Sequence, residues 1–125
     1  MRRRLLSAVA LLGIASAPAA ATEVGDFELV NAQDLVDVCS VQPSDPYYLQ
    51  AIHFCHGFVS GAGHYHRAIS SGPDIEPIIC PGEPAPSRND AVAVYLEWAQ
   101  AHPEHMSDPP VEALIQAVSE KWPCE

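Results

Sequence analysis

Residues 53–66 read HFCHGFVSGAGHYH, four histidines and one cysteine in fourteen positions. The context of this stretch decides the fold. Tyr48, Ile52, Cys55, Val59, Ala62 and Ile69 recur at helical spacing, Asp45-Pro46 supplies a start and Gly72-Pro73 a stop. One long helix is therefore expected from Pro46 to about Ser71, the central element of an all-α chain.

On such a helix the histidines divide. His53 and His56 are neighbours and can share a metal ion, whereas His64 lies eleven residues from His53, about 16 Å further along the axis. His64 and His66, two apart, point in different directions. One chain thus offers half a site here, while a zinc centre takes three or four ligands, and the HExxH pattern is absent. His102 and His105 form a second pair around Pro103, and nothing in the sequence brings them to the first. The histidines read as solvent-facing or interface residues, with no metal and no other cofactor expected. A pH-sensing role would need a bistable element that protonation biases, and none is legible.

Catalysis has no constellation to rest on. No serine sits in a G-x-S-x-G turn, no glycine-rich phosphate loop follows a strand, and Cys55 and His56 occupy adjacent, diverging helix positions. The glycines carry more information. Gly57 and Gly61 sit in mid-helix, where each costs about 1 kcal/mol relative to alanine. They group with His53, Ser60 and His64 on the side opposite the apolar stripe, a small-residue face that admits close approach of another helix of the domain, of a second copy or of a partner.

Outward from this helix, three more are expected. Asn31 and Asp34 cap a short first helix carrying Leu35, Val36, Val38 and Cys39, which ends before Pro43. Ser87 and Asp90 cap a third, with Val92, Val94, Tyr95, Leu96 and Trp98, ending ahead of Pro103. The fourth begins at Asp108-Pro109 and bears Leu114, Ile115, Val118 and Trp122. Five prolines between Gly72 and Pro86 make that connection irregular. The expected architecture is a small bundle of about four helices with two disulfides.

Cys39, Cys55, Cys80 and Cys124 are an even set, and paired thiols fit an oxidising compartment. Pairing 39 with 55 and 80 with 124 is one solution and 55 with 80 and 39 with 124 another; the spacings leave both open. Export is expected on separate grounds. Arg2, Arg3 and Arg4 precede an apolar run from Leu5 to Ala17 that is too short to span a bilayer, and Ala19-Ala20-Ala21 suits a signal peptidase. Residues 1–21 are read as a cleaved signal and 22–125 as one soluble, periplasmic domain with no membrane attachment. From residue 22 onward three cations face 16 carboxylates, a balance of −13. Such a field repels nucleic acid and anionic membranes and favours encounter with a basic protein.

Phe54-Cys55-x-Gly57-Phe58-x-x-Gly61, Cys80-Pro81, Val94-Tyr95-Leu96, His102-Pro103-Glu104, Ala113-Leu114-Ile115-x-Ala117 and Trp122-Pro123-Cys124 follow one another in an order that resembles the Rap/Tai family of type VI secretion amidase immunity proteins. The resemblance covers roughly residues 35–124. It implies a small helical, disulfide-containing periplasmic protein, often dimeric, that does no chemistry and blocks the cleft of a peptidoglycan amidase effector. His56 stands where family members commonly carry an apolar residue, and the connection after the second helix is richer in proline than the family pattern.

If a cleft is to be blocked, the projecting segment would be His102–Pro110, HPEHMSDPP, with His102, Glu104, His105, Met106 and Asp108 as the contact candidates. The plainer alternative is that Asp108 caps the following helix and Glu104 is solvated. Asp74–Glu83 is the second candidate surface. Two other functions compete: a small acid-responsive periplasmic chaperone, from size, disulfides, acidity and histidine content, and a histidine-dependent metal-binding protein using His53 and His56.

Overall fold

Two capping boxes start helices where the sequence places them. In the computed structural model, which describes residues 21–125, the Asn31 side chain accepts from the Asp34 amide and α1 runs over Ala32–Cys39. Ser87 Oγ accepts from the Asp90 amide in the same way, opening α3 at Arg88–Ala101. Between them lies α2, Tyr48–Ser70, and α4 spans Pro110–Lys121. The expected signal segment falls, apart from Ala21, outside the described residues. Among the described residues there are four α-helices and no strand.

Every pair of these helices touches. Leu35 and Val38 of α1, Cys55 and Val59 of α2, Tyr95 and Trp98 of α3, and Leu114 and Val118 of α4 meet in one buried cluster. The Tyr95 ring is fully buried, and its hydroxyl donates to the Ala32 carbonyl at 2.7 Å, tying α3 to the first turn of α1. Burial pushes the phenol well above its ordinary pKa, with the nearby Asp37 charge adding to the shift, so this hydroxyl remains a donor.

The cysteines pair sequentially. Cys39–Cys55 clamps the end of α1 to α2, with both residues buried, and Cys80–Cys124 fastens the proline-rich connection to the tail after α4. The Cys80 amide also donates to the Trp122 carbonyl at 2.8 Å beside the second bridge.

Two details of α2 differ from the sequence reading. The buried line is Ala51, Cys55 and Val59, while Ile69 is 37 % exposed. The cause is length: at 1.5 Å per residue the 23 residues of α2 extend about 34 Å and outrun partners of 8 to 14 residues. The glycines also lack the close neighbour in the chain that the sequence allowed. A Cβ built at Gly57 or Gly61 meets nothing within 4 Å, so no other described helix of this chain lies against that face.

A short 3-10 helix over Val24–Glu28 was not legible in the sequence. Asp26 anchors its start by accepting from the Glu23 amide at 2.6 Å, and Leu29 ends it in the left-handed region at φ 48°. Phe27 packs edge-on against Tyr47 and Phe54, which ties this segment to the beginning of α2.

Candidate functional site

The connection from His102 to Pro109 is built as a brace. α3 ends at Ala101, and the His102 ring folds back with Nδ1 2.8 Å from the Trp98 carbonyl, stacking on the Trp98 indole at 4.6 Å. That geometry puts the proton on Nδ1. Pro103–His105 form a single 3-10 turn, after which His105 Nδ1 stands 2.6 Å from Asp108 Oδ2 and its ring tilts over the same indole at 5.3 Å. Trp98 is itself fixed, donating from Nε1 to Glu120 of α4 at 3.0 Å.

The backbone of this segment does a second job. The Met106 carbonyl accepts from the Gln33 amide at 3.1 Å and the Asp108 carbonyl from the Ala32 amide at 2.8 Å. These are first-turn amides of α1 that have no partner within their own helix. The connection therefore closes the N-terminus of α1, and the Met106 side chain packs half-buried against the core.

The expected cap by Asp108 is replaced by another arrangement. The residue preceding α4 is Pro109, which makes no side-chain cap, and Pro110 occupies the first helical position, where a missing N–H costs nothing. The Asp108 carboxylate is turned to His105 instead. Of the five contact candidates, Glu104 is exposed, while His102, His105, Met106 and Asp108 are half-buried. Pro103, Ser107 and Pro109 complete the outward surface.

On α2 the histidines take separate roles. His53 is exposed and His56 half-buried. His64 Nδ1 accepts from Arg67 at 2.9 Å, and His66 Nε2 accepts from the Ile78 amide at 3.2 Å, pinning the connection to the helix. Among the described residues, no three His, Cys, Asp or Glu side chains gather closely enough to hold a metal ion. Ser60 departs from its expected place on the outward side: its Oγ is buried and has no hydrogen-bond partner. It adjoins Val59 at the border of the buried line, where helical phase alone does not fix the direction. The Asp74–Glu83 surface is almost wholly exposed and irregular.

The model of the Rap1a immunity proteins matches residues 31–124, a span holding all four helices, both disulfides and the braced connection. The chain belongs to this family. Searches of curated proteins and of solved structures find no match. A Rap1a-type immunity protein acts by binding an effector protein, which agrees with a helical scaffold presenting ordered surface segments. No helix among the described residues is long and apolar enough to cross a membrane.

Proposed function

We propose that this Rap1a-family chain is an exported, periplasmic immunity protein that binds a peptidoglycan amidase effector of type VI secretion and blocks its cleft without doing chemistry itself. The observation that carries the reading is the brace at residues 102–109. Its backbone is tied to α1 at two points and its rings are stacked on Trp98, yet Pro103, Glu104, Ser107 and Pro109 face outward. A segment held in one conformation before binding loses little ordering entropy when it enters a cleft.

Three further features support the reading. Both disulfides suit an oxidising compartment. The acidic balance favours rapid encounter with a basic enzyme. Thr22, the expected first residue after signal cleavage, is already buried, with its backbone nitrogen 3.1 Å from Asp45 Oδ2. A new amino terminus at that position would bring a positive charge to a waiting carboxylate. The open face at Gly57 and Gly61, flanked by exposed Phe54 and Tyr65, is the surface this reading reserves for a second copy of the chain.

The test is substitution at two outward positions. Glu104 makes only a 4.0 Å approach to His105, and Ser107 is exposed. Glu104→Arg and Ser107→Trp are expected to weaken inhibition of the cognate amidase about tenfold or more while the melting temperature stays unchanged, the cost of losing a central interface contact. Full inhibition by both variants would remove this connection as the blocking element.

A further inference from the structure

Behind the second half of α2 lies a groove of about 500 Å³, bounded by α4 and by the connection leading into α3. Its size falls within the range of about 300–1,000 Å³ typical of ligand sites. Leu114 and Val118 of α4, Trp122 just after it and Val59 of α2 give it an apolar floor. Its rim has a different character.

Arg67 and Arg88 both line the groove. They are two of the three Lys or Arg residues that follow position 22, in a chain with 16 carboxylates, yet only Glu83 among those carboxylates joins the lining. Local charge is thus inverted relative to the rest of the molecule. Among the described residues neither guanidinium has a carboxylate within ion-pair distance. Arg67 instead donates to His64 Nδ1, which leaves the Nε2–H of His64 as that ring's donor. Asp90 already serves the N-terminus of α3 by accepting from Ser87, so the positive character of the rim comes from the arginines.

Ser60 supplies an independent observation. Ser60 lines the groove, and its Oγ is buried without a partner, a state that buried hydroxyls rarely keep unless solvent completes them. Gly63, His64 and Arg67 follow Ser60 at i+3, i+4 and i+7, so one face of α2 brings an imidazole and a guanidinium to the same wall. The wall is open at Gly63, where a Cβ would meet nothing within 4 Å.

We infer that this groove is a binding site for a peptide carboxy-terminus, with the terminal carboxylate held between Arg67 and Arg88 and the last apolar side chain lying on Leu114, Val118 and Trp122. A guanidinium pair matches a planar carboxylate through forked, charge-assisted hydrogen bonds. The site lies on a different face from the residue 102–109 brace and does not depend on the effector reading.

The experiment titrates the oxidised protein, residues 22–125, with N-acetyl-Leu-Leu bearing a free carboxylate, with its carboxy-terminal amide, and with inorganic phosphate, reading amide chemical shifts by NMR. The acid is expected to shift Ser60, Arg67 and Arg88, and the amide to bind about tenfold more weakly, the loss that accompanies one charge-assisted contact. Arg67→Gln and Arg88→Gln are each expected to weaken the acid several-fold, whereas Lys121→Gln, the same charge change outside the groove, leaves affinity unchanged. Circular dichroism checks that each variant is folded. Equal binding of acid and amide, equal loss in the Lys121 variant, binding of phosphate but not of the acid, or no shift at these residues with any probe would overturn the assignment.

Discussion

Removing the Cys80–Cys124 bridge isolates one contribution to stability. The bridge joins residues 44 apart, and restricting a loop of that length in the unfolded chain is worth about 4 kcal/mol, against about 3 kcal/mol for the separation of 16 closed by Cys39–Cys55. The two differ in surroundings as well. Cys80 is exposed and Cys124 half-buried, so alanines there lose little packing, whereas Cys39 and Cys55 are in the core and their replacement adds about 1–2 kcal/mol of lost contacts. Equilibrium urea unfolding of the oxidised parent, Cys80→Ala/Cys124→Ala and Cys39→Ala/Cys55→Ala should therefore show losses of about 4 kcal/mol for each double variant. Against a total of about 5–15 kcal/mol for a domain, either loss removes about a quarter or more of the stability. Chemical reduction separates the mechanisms, since it opens both loops but keeps the sulfurs. If Cys80→Ala/Cys124→Ala unfolds within about 1 kcal/mol of the parent, restriction of the unfolded chain is not what this bridge supplies.

Three other outcomes follow from individual contacts. Tyr95→Phe deletes the buried bond to the Ala32 carbonyl and should cost about 1 kcal/mol in the same urea assay; an unchanged midpoint would mean the bond is not a net stabiliser. Burial holds the Asp37 carboxyl above its usual pKa of 3.8, opposed by the Gln33 hydrogen bond and helped by Asp26 and Asp34, so the folded protein resists its ionisation. Its contribution is thus lost as pH rises from 3.8 through the folded value. Asp37→Asn should melt higher than the parent at pH 7 and alike below that range, and a lower melting point at pH 7 would reverse the sign. Intact mass of the exported protein should place its first residue at Thr22, and Asp45→Asn should then destabilise the processed chain by about 1 kcal/mol more than a chain extended at its N-terminus.

What could be read from the sequence was local. The Asn31–Asp34 and Ser87–Asp90 boxes, the Gly72-Pro73 stop and Pro103 after α3 act within one turn of the residues that spell them, and the helices begin and end close to those signals. The order of family motifs carried the assignment to an immunity family. Contacts between distant residues were less legible. The cysteine pairing depends on how α1 meets α2. The capping of α1 by the carbonyls of Met106 and Asp108 uses backbone atoms, which leave no mark in residue identity. The segment Val24–Glu28 is one short turn whose lodging depends on Phe27 meeting Tyr47 and Phe54, residues some twenty positions away or more. Ser60 shows the limit of helical phase, because a residue at the edge of a stripe faces inward or outward according to which neighbour is present.

The effector reading stands or falls on inhibition. The oxidised protein, residues 22–125, is used to capture its partner from secreted material, and the captured enzyme's hydrolysis of purified peptidoglycan is then titrated with the same protein. The brace at residues 102–109 predicts release of peptide cross-links falling to background at one chain per enzyme active site. A captured enzyme that keeps its full rate at saturating protein, or capture without any peptidoglycan hydrolase, would show that this Rap1a-family chain does not protect by blocking an amidase.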